Sequence, residues 1–198
     1  MCPDRSFYNK STEIVARELL GKKLVRIISG SRISKRLSGM IVEAEAYGFS
    51  DDSASHAFGG ITRRNYVMFG EAGRAYIYYS YGRHFCVNLS ARSPEIQAGA
   101  VLIRALQPLE GLAFMKNHRN NSKDLVLTSG PGQALSISPS LNGIDMTDPR
   151  SELRIEFGVE PQGIKSTPWI GTSKAPYRMW RFILLTEGNP TKFASRRW

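Results

Sequence analysis

Hydrophobic and polar positions recur with two different spacings along the chain, and each spacing predicts a different kind of element. Near the N-terminus, two good N-cap residues, Ser11 and Thr12, precede a run with apolar Ile14 and Leu19. Gly21 follows this run and provides a C-terminal stop. The sequence therefore predicts a helix that begins at Ser11 or Thr12 and ends before Gly21.

Runs rich in β-branched and aromatic residues, bounded by turn residues, predict strands. They cover Lys23–Ile28, Leu37–Tyr47, Ala75–Ser80, Phe85–Ser90, Ala100–Leu106 and a last stretch near Trp180–Leu185. A second helix is predicted from about Leu109 to His118, and the polar, glycine-rich residues 51–64 are predicted to form a loop. Consecutive hairpins with flanking helices favour a mixed α/β fold of the α+β type, in one compact domain over residues 1–198.

Composition narrows the class of protein without changing this picture. The chain has 198 residues, of which 41% are hydrophobic, enough for one sizeable core. It has no run of 18 apolar residues, and residues 1–10 lack the apolar centre of a secretory signal. Cys2 and Cys86 cannot build a disulfide framework. We therefore expect a soluble intracellular protein of a nucleus or of a bacterial or archaeal cytoplasm, with no membrane partner.

The charge points to a polyanionic partner. The formal net charge is +10 and the pI is near 9.9, which is typical of nucleic-acid binders, although anionic membranes and acidic proteins also attract such surfaces. The basic residues are spread along the chain rather than gathered in a tail. A basic face assembled by folding is the better interpretation.

Two glutamates in the second predicted strand are candidate chemical groups. Strand alternation places Ile41, Glu43, Glu45 and Tyr47 on one face, with the two carboxylates roughly 7 Å apart. A carboxylate pair at this distance can activate a water at a sugar carbon. The spacing alone favours a solvated, charged sheet face, and a Mg²⁺ site that includes the following pair, 51–52, is a third interpretation.

The turn between the third and fourth predicted strands carries an aromatic and a basic side chain, Tyr81 and Arg83. Such a turn can unstack a base step while the cation binds phosphate. The preceding tyrosines are as well explained by an ordinary hairpin core. His56, in the polar loop after the glutamates, is a candidate ligand contact, although a lone loop histidine is usually solvated.

Taken together, these segments resemble the alkyladenine (methylpurine) DNA glycosylase family. The matching blocks occur in the family's order from about residue 21 to residue 135. They are Ile41–Tyr47, His56 ahead of Gly59–Gly60, Arg64–Asn65, Met68–Phe69, Ala75–Asn88, Val101–Gly111, Thr128–Pro131 and Gln133–Leu135. No single block is decisive, but the ordered set is specific.

The resemblance implies a DNA repair enzyme that flips an alkylated or deaminated purine out of duplex DNA and hydrolyses its N-glycosidic bond. It implies a curved antiparallel sheet with a protruding hairpin, and neither a metal nor an organic cofactor. The implied roles are a general base (Glu45), an arginine behind the catalytic water (Arg104), walls of the base pocket (Tyr47, His56 and Tyr78), a group that excludes guanine (Asn88) and a wedge in the duplex (Tyr81).

Three departures from the family pattern limit what can be transferred. Arg83 replaces an apolar residue beside the wedge, which favours phosphate contact at the hairpin. The segment 130–135 is a few residues shorter than usual, which puts the local helix start in doubt. Residues 169–171 read Trp-Ile-Gly where the family often has arginine, so this position inherits no role.

No lysine lies inside the matched motifs, so simple hydrolysis without strand nicking by a lysine Schiff base is expected. We expect the enzyme to act as a monomer. Two other classes remain open from the residues alone. One is a non-catalytic nucleic-acid-binding module, and the other is a metal-dependent nuclease that uses Glu43, Glu45, Asp51 and Asp52.

Overall fold

A computed structural model describes residues 1–30, 34–80, 84–119, 131–170, 174 and 177–185. The strands in these residues are β1 (Lys23–Ile28), β2 (Lys35–Tyr47), β3 (Ala75–Ser80), β4 (His84–Ser90), β5 (Ala100–Glu110), β6 (Leu153–Glu156), β7 (Ile164–Thr167) and β8 (Arg181–Leu184). The helices are α1 (Arg5–Tyr8), α2 (Thr12–Leu19), α3 (Tyr66–Phe69), α4 (Leu112–His118) and α5 (Pro131–Ala134), with a 3₁₀ turn at Pro139–Leu141. No helix in this part of the chain combines the length and the apolar character that a membrane span requires.

All the described strands join one curled antiparallel sheet, in the order β3-β4-β5-β2-β1-β6. The long strand β2 is its centre. Along one edge, the first half of β2 pairs with β1 and the second half pairs with β8, which in turn pairs with β7. The predicted α+β fold with a mainly antiparallel sheet is therefore confirmed.

Helix α2 closes one face of this sheet. Its buried side chains include Val15, Ala16 and Leu19, and it packs against β2 and β5. Gly21 follows the helix with φ +82°, and a Cβ there would lie 2.1 Å from the carbonyl oxygen of Val159. The predicted end of this helix at a glycine is confirmed, because an L side chain would be strained in that conformation and would clash with the neighbouring backbone.

The second predicted helix starts later than expected. Leu109 was predicted to begin it, but the ladder between β5 and β2 continues as far as the pairing of Glu110 with Ser38. Gly111, with φ +82°, then turns the chain, and α4 begins at Leu112. Backbone pairing with the long central strand β2 therefore overrides the local helix preference of Leu109 and Glu110.

The strict alternation expected in β2 is interrupted. Ile41 pairs with Leu106 while Glu43 pairs with Ala105, so that β2 carries one extra residue at this point. Ile41 packs in the main hydrophobic core together with Val42, Ala44 and Ala46. The prediction that Ile41 shares the face of the two glutamates and Tyr47 is wrong, because the bulge changes the alternation.

Candidate active site

A cavity of about 300 Å³ lies where strands β2 to β5 meet the loop at residues 54–56. Most of its lining comes from the four strands, and the rest comes from this loop, helix α3 and the segment before β8. The lining residues are Tyr47, Ala54, His56, Met68, Tyr76, Tyr78, Ser80, Cys86, Asn88, Ala100, Leu102, Arg104, Ile170 and Lys174. Five of the predicted site residues (Tyr47, His56, Tyr78, Asn88 and Arg104) are therefore brought together on one cavity.

Glu45 lies directly behind this lining and is completely buried. Its Oε2 atom accepts hydrogen bonds from the Tyr47 hydroxyl at 2.8 Å and from Nη1 of Arg104 at 2.9 Å. Its Oε1 atom accepts a longer one, of 3.3 Å, from the backbone N–H of Ile170. All three donors belong to residues that line the cavity, so the carboxylate is one side chain away from it.

Burial and hydrogen bonding act in opposite directions on Glu45. Burial raises the pKa of this carboxyl, while the charge of Arg104 and the bonds from Tyr47 and Ile170 lower it, and burial is the larger effect. The Tyr47 hydroxyl stays protonated because burial and the neighbouring Glu45 raise its pKa well above the usual range. Glu45 is therefore a more basic carboxylate than one in water.

Glu43 is also completely buried, and arginines neutralise it. Its Oε1 atom accepts from Nε of Arg104 at 3.0 Å and from Nε of Arg181 at 2.6 Å. The solvated, charged face that the spacing of the glutamates favoured is thus wrong. The two carboxylates instead belong to a buried network with two guanidinium groups.

Arg181 was not found by sequence reasoning, although one signal was present. It is a lone charged residue at the start of the apolar strand β8, and it is 2% exposed. A buried arginine in a strand requires a buried acceptor. The residue that it would pair with depends on which strand lies beside β8, and this information is not in the sequence.

The opposite wall of the cavity is aromatic. The imidazole of His56 meets the ring of Tyr78 edge-on at 4.7 Å, and its Nδ1 lies 2.9 Å from the Tyr76 hydroxyl. The guanidinium of Arg64 lies 4.9 Å from the centre of the Tyr78 ring. Tyr76 and Tyr78 both line the cavity from one face of β3, as strand alternation requires, and Tyr79 on the other face is 53% exposed.

His56 is uncharged at neutral pH. Partial burial of its ring, together with the nearby charge of Arg64, lowers its pKa to about 4. Cys86, on the neighbouring strand, stays a thiol because burial raises its pKa. This side of the cavity therefore presents neutral rings and a neutral thiol.

Asn88 lies at the base of this wall and is 3% exposed. Its side-chain amide donates a hydrogen bond of 2.9 Å to the backbone carbonyl of Tyr76, the residue that it faces across the β3–β4 ladder. This bond fixes the orientation of the amide on the cavity wall. A fixed polar group in this position can discriminate between bases that differ in one substituent.

The carboxylates after β2 do not form the Mg²⁺ site that was considered. Asp52 accepts from the backbone N–H groups of Gly48 and Ala54, and Asp51 pairs with Arg178 at 2.9 Å. Within the described residues, no group of three or more His, Cys, Asp or Glu side chains could hold a metal ion. These aspartates stabilise the loop instead.

Two predicted site residues, Tyr81 and Arg83, lie outside the described residues, and so does Gly130, the first residue of the shortened segment at 130–135, in which α5 begins at Pro131. Nine of the fourteen lining residues were not among the predicted site residues, and two of these nine lie far along the chain. Ile170 and Lys174 come from a segment outside the matched motifs, so nothing in the sequence placed them beside a strand 120 residues earlier. No lysine lies inside the matched motifs, but Lys174, from outside them, lines the cavity.

Trp169 is a further residue to which the sequence assigned no role. Its ring is stacked on Tyr47, with the ring centres 5.4 Å apart and the planes within 1° of parallel. Sequence reasoning could not find this contact, because the two residues are more than a hundred positions apart.

Comparison with known proteins places the chain among the DNA glycosylases, which are hydrolases of N-glycosyl bonds. The chain belongs to the Methylpurine-DNA glycosylase (MPG) family, whose sequence profile matches residues 6–188. A relative from Koribacter versatilis, named "Putative 3-methyladenine DNA glycosylase", is 43% identical over 193 residues, covering 94% of this chain and 90% of the relative. Relatives with the same name from Methanoculleus marisnigri and Methanocella arvoryzae are 40% and 43% identical, covering 97% and 90% of both chains respectively.

Proposed function

We propose that this enzyme extrudes an alkylated purine, above all 3-methyladenine, from duplex DNA into the cavity and hydrolyses its N-glycosidic bond. The product is an abasic site, and the chemistry belongs to base excision repair. The observation that carries the proposal is a buried glutamate behind the cavity lining, facing a wall of neutral aromatic rings.

Glu45 is the proposed general base. A carboxylate offers about four acceptor positions, and three of them are taken by Tyr47, Arg104 and Ile170. The remaining capacity is on Oε1, which has only the long bond from Ile170. A water that donates to this atom would be activated for attack on the sugar carbon, and the carboxylate would stabilise the oxocarbenium charge that develops there.

Glu43 is less suited to this role. Of the two arginines that hold it, only Arg104 lines the cavity. Its contribution is electrostatic, because it holds Arg104 from one side while Glu45 holds it from the other. We propose that Arg104 orients the attacking water, with its own position set by the two carboxylates.

Tyr47, His56 and Tyr78 form the proposed clasp for the flipped base. Electron-rich rings attract a cationic purine through cation–π and stacking interactions. A charged imidazole would repel such a base, and the low pKa of His56 keeps this ring neutral. The volume of about 300 Å³ is at the lower end for small-molecule sites and suits a single base.

The same groups favour leaving bases that carry their own charge. A cationic alkylpurine leaves without protonation, whereas neutral hypoxanthine needs a proton as its bond breaks. Histidine is the side chain whose ordinary pKa lies nearest neutrality, but the pKa of His56 is lowered to about 4. Above about pH 5 its ring is therefore unprotonated and cannot donate a proton to the leaving base. We therefore propose alkylated purines as the main substrates, with hypoxanthine released more slowly.

Extrusion needs groups that hold the opened duplex. We propose that Tyr81 fills the gap left by the base and that Arg83 binds phosphate, since both lie in the sequence between β3 and β4. Arg64, whose guanidinium lies 4.9 Å from the centre of the Tyr78 ring and is not part of the cavity lining, adds a positive charge that can attract the DNA backbone. We also propose that the protein acts as a monomer, as one domain over residues 1–198, inside the cell where its DNA substrate is.

The test is incubation with a duplex that carries a single 3-methyladenine (as a stable deaza analogue for binding), 7-methylguanine or hypoxanthine. Strand cleavage that appears only after hot alkali is the expected result, at the same rate with and without a chelator. Sodium borohydride should trap no covalent complex, in the parent enzyme or in Lys174→Ala. Binding without release of any base would favour a non-catalytic module, and loss of activity with chelator would favour a nuclease.

A further inference from the structure

Trp169 packs against Tyr47 without lining the cavity. Only Tyr47 contributes to the lining, although the two rings are stacked at 5.4 Å and within 1° of parallel. The indole Nε1–H also donates a 3.1 Å hydrogen bond to the carbonyl of Ala46. Two consecutive residues of β2 thus hold one indole, which is 7% exposed.

The indole is braced from a third direction. Trp180 meets it edge-on, with ring centres 5.8 Å apart and planes at 85°. The guanidinium of Arg178 lies 4.1 Å from the centre of the Trp180 ring and pairs with Asp51. A ring that is fixed by a stack, a hydrogen bond and an edge contact has little freedom to rotate, and it restricts the ring that it covers.

Tyr47 is the ring for which this restriction has a chemical consequence. Its hydroxyl donates to Oε2 of Glu45 at 2.8 Å, while the ring forms part of the cavity wall. A rotation of the ring would lose both functions together. The hydroxyl would leave the carboxylate, and the stacking surface for the base would tilt.

We propose that Trp169 is a positioning residue for catalysis, which holds Tyr47 so that its hydroxyl stays on Glu45 and its ring faces the base. This inference rests on the proposed function of Glu45 and Tyr47. The required element is a flat partner parallel to Tyr47. Phenylalanine can provide it, whereas a branched or linear aliphatic side chain cannot.

The experiment measures single-turnover release of 7-methylguanine as a function of pH for the parent, Trp169→Leu and Trp169→Phe. We expect Trp169→Leu to reduce the rate about 10- to 100-fold, because a misplacement of 1 Å can cost about 10²-fold. The acid limb of its pH profile should move to higher pH, because the Tyr47 bond lowers the pKa of Glu45 and is lost. Trp169→Phe should stay within about threefold of the parent, with the acid limb unmoved.

Two controls separate positioning from general destabilisation. Trp180→Phe keeps an aromatic edge against Trp169, and it should leave both the rate and the acid limb unchanged. In the Tyr47→Ala background both the hydroxyl and the ring are already absent, so that Trp169→Leu should add less than about threefold and no further movement of the limb. Trp169→Met replaces the leucine variant if circular dichroism shows that the leucine variant is unfolded.

The proposal is overturned if a folded Trp169→Leu or Trp169→Met variant keeps the parental rate and acid limb. It is also overturned if the full reduction recurs in the Tyr47→Ala background, since Trp169 would then act elsewhere. A parent enzyme that releases no alkylated purine would contradict the proposed function itself. If the parent is active and the Trp169 variant has the same rate and acid limb, only this inference is contradicted and the proposed function stands.

Discussion

The two sides of the cavity are built on different physical principles. On the side of β2 and β5, two glutamates and two arginines (Glu43, Glu45, Arg104 and Arg181) are each no more than 2% exposed and bind one another, and of these four only Arg104 lines the cavity. On the side of β3 and the loop at residues 54–56, the rings of His56, Tyr76 and Tyr78 contact one another. The His56 ring is neutral, and Tyr78 is partly exposed. The buried side is suited to proton transfer, and the aromatic side is suited to recognition of a base.

The difference shows how one small fold can combine both tasks. Ions can be buried only where strong partners replace water, so the ionic side needs the most rigid part of the sheet. Rings need no such compensation and can lie on a hairpin and a loop at the opening. Changes on the ionic side should therefore affect chemistry or folding, and changes on the aromatic side should affect the choice and retention of the base.

The largest effect is expected at Glu45. Glu45→Gln keeps the shape but removes the base, so single-turnover excision should fall about 10²- to 10⁴-fold while binding to damaged duplex persists. In the parent, burial raises the pKa of Glu45, so the rate should fall as the pH drops through a value above that of an ordinary glutamate. A greater loss in Glu43→Gln than in Glu45→Gln would assign the base to Glu43.

The next largest effect is expected on the free energy of unfolding, when Arg181 is replaced. Arg181→Gln removes one partner from a buried carboxylate and should reduce the free energy of unfolding by about 3–5 kcal/mol. Urea denaturation of the two proteins measures this loss. Arg150→Gln is the matched control, because Arg150 pairs with Asp148 on the surface and is 89% exposed. Equal stability of the Arg181 variant and the parent would show that the network is not needed for folding.

On the aromatic side, Tyr78→Ala should weaken retention of the extruded base. Stacking of a base on an aromatic ring contributes about 1–3 kcal/mol, so that excision should fall about 5- to 150-fold. The loss should be greater for well-paired lesions, which cost more to extrude. Tyr79→Ala is the control, since this neighbour packs on Phe85 outside the cavity. Equal effects of the two substitutions would remove Tyr78 from the clasp.

The smallest change in rate, and the greatest change in selectivity, is expected at Asn88. If its fixed amide excludes the exocyclic amine of guanine, Asn88→Ser should allow slow release of normal guanine or faster release of 7-methylguanine. Release of alkylated adenine should change little. The measurement is the profile of free bases from alkylated duplex, and an unchanged profile would place the discrimination elsewhere in the cavity.

Much of the fold could be read from the sequence because it depends on local patterns. Alternation located the strands β1 to β5 and β8, and the N-cap residues and Gly21 located α2. Errors occurred where distant pairing overrides local preference, as at Leu109 and at the bulge after Ile41. The candidate base and the aromatic residues could be assigned because they lie in ordered motifs within one continuous part of the chain.

The sequence by itself determined which side chains are available, their order along the strands and the family to which the chain belongs. Only the tertiary structure decided that the two glutamates are buried rather than solvated, because their burial depends on Arg104 and Arg181 from strands far along the chain. It likewise decided that Trp169 covers Tyr47 and that Lys174 reaches the cavity. Burial and contact are properties of neighbours in space, and no local period in a sequence records them.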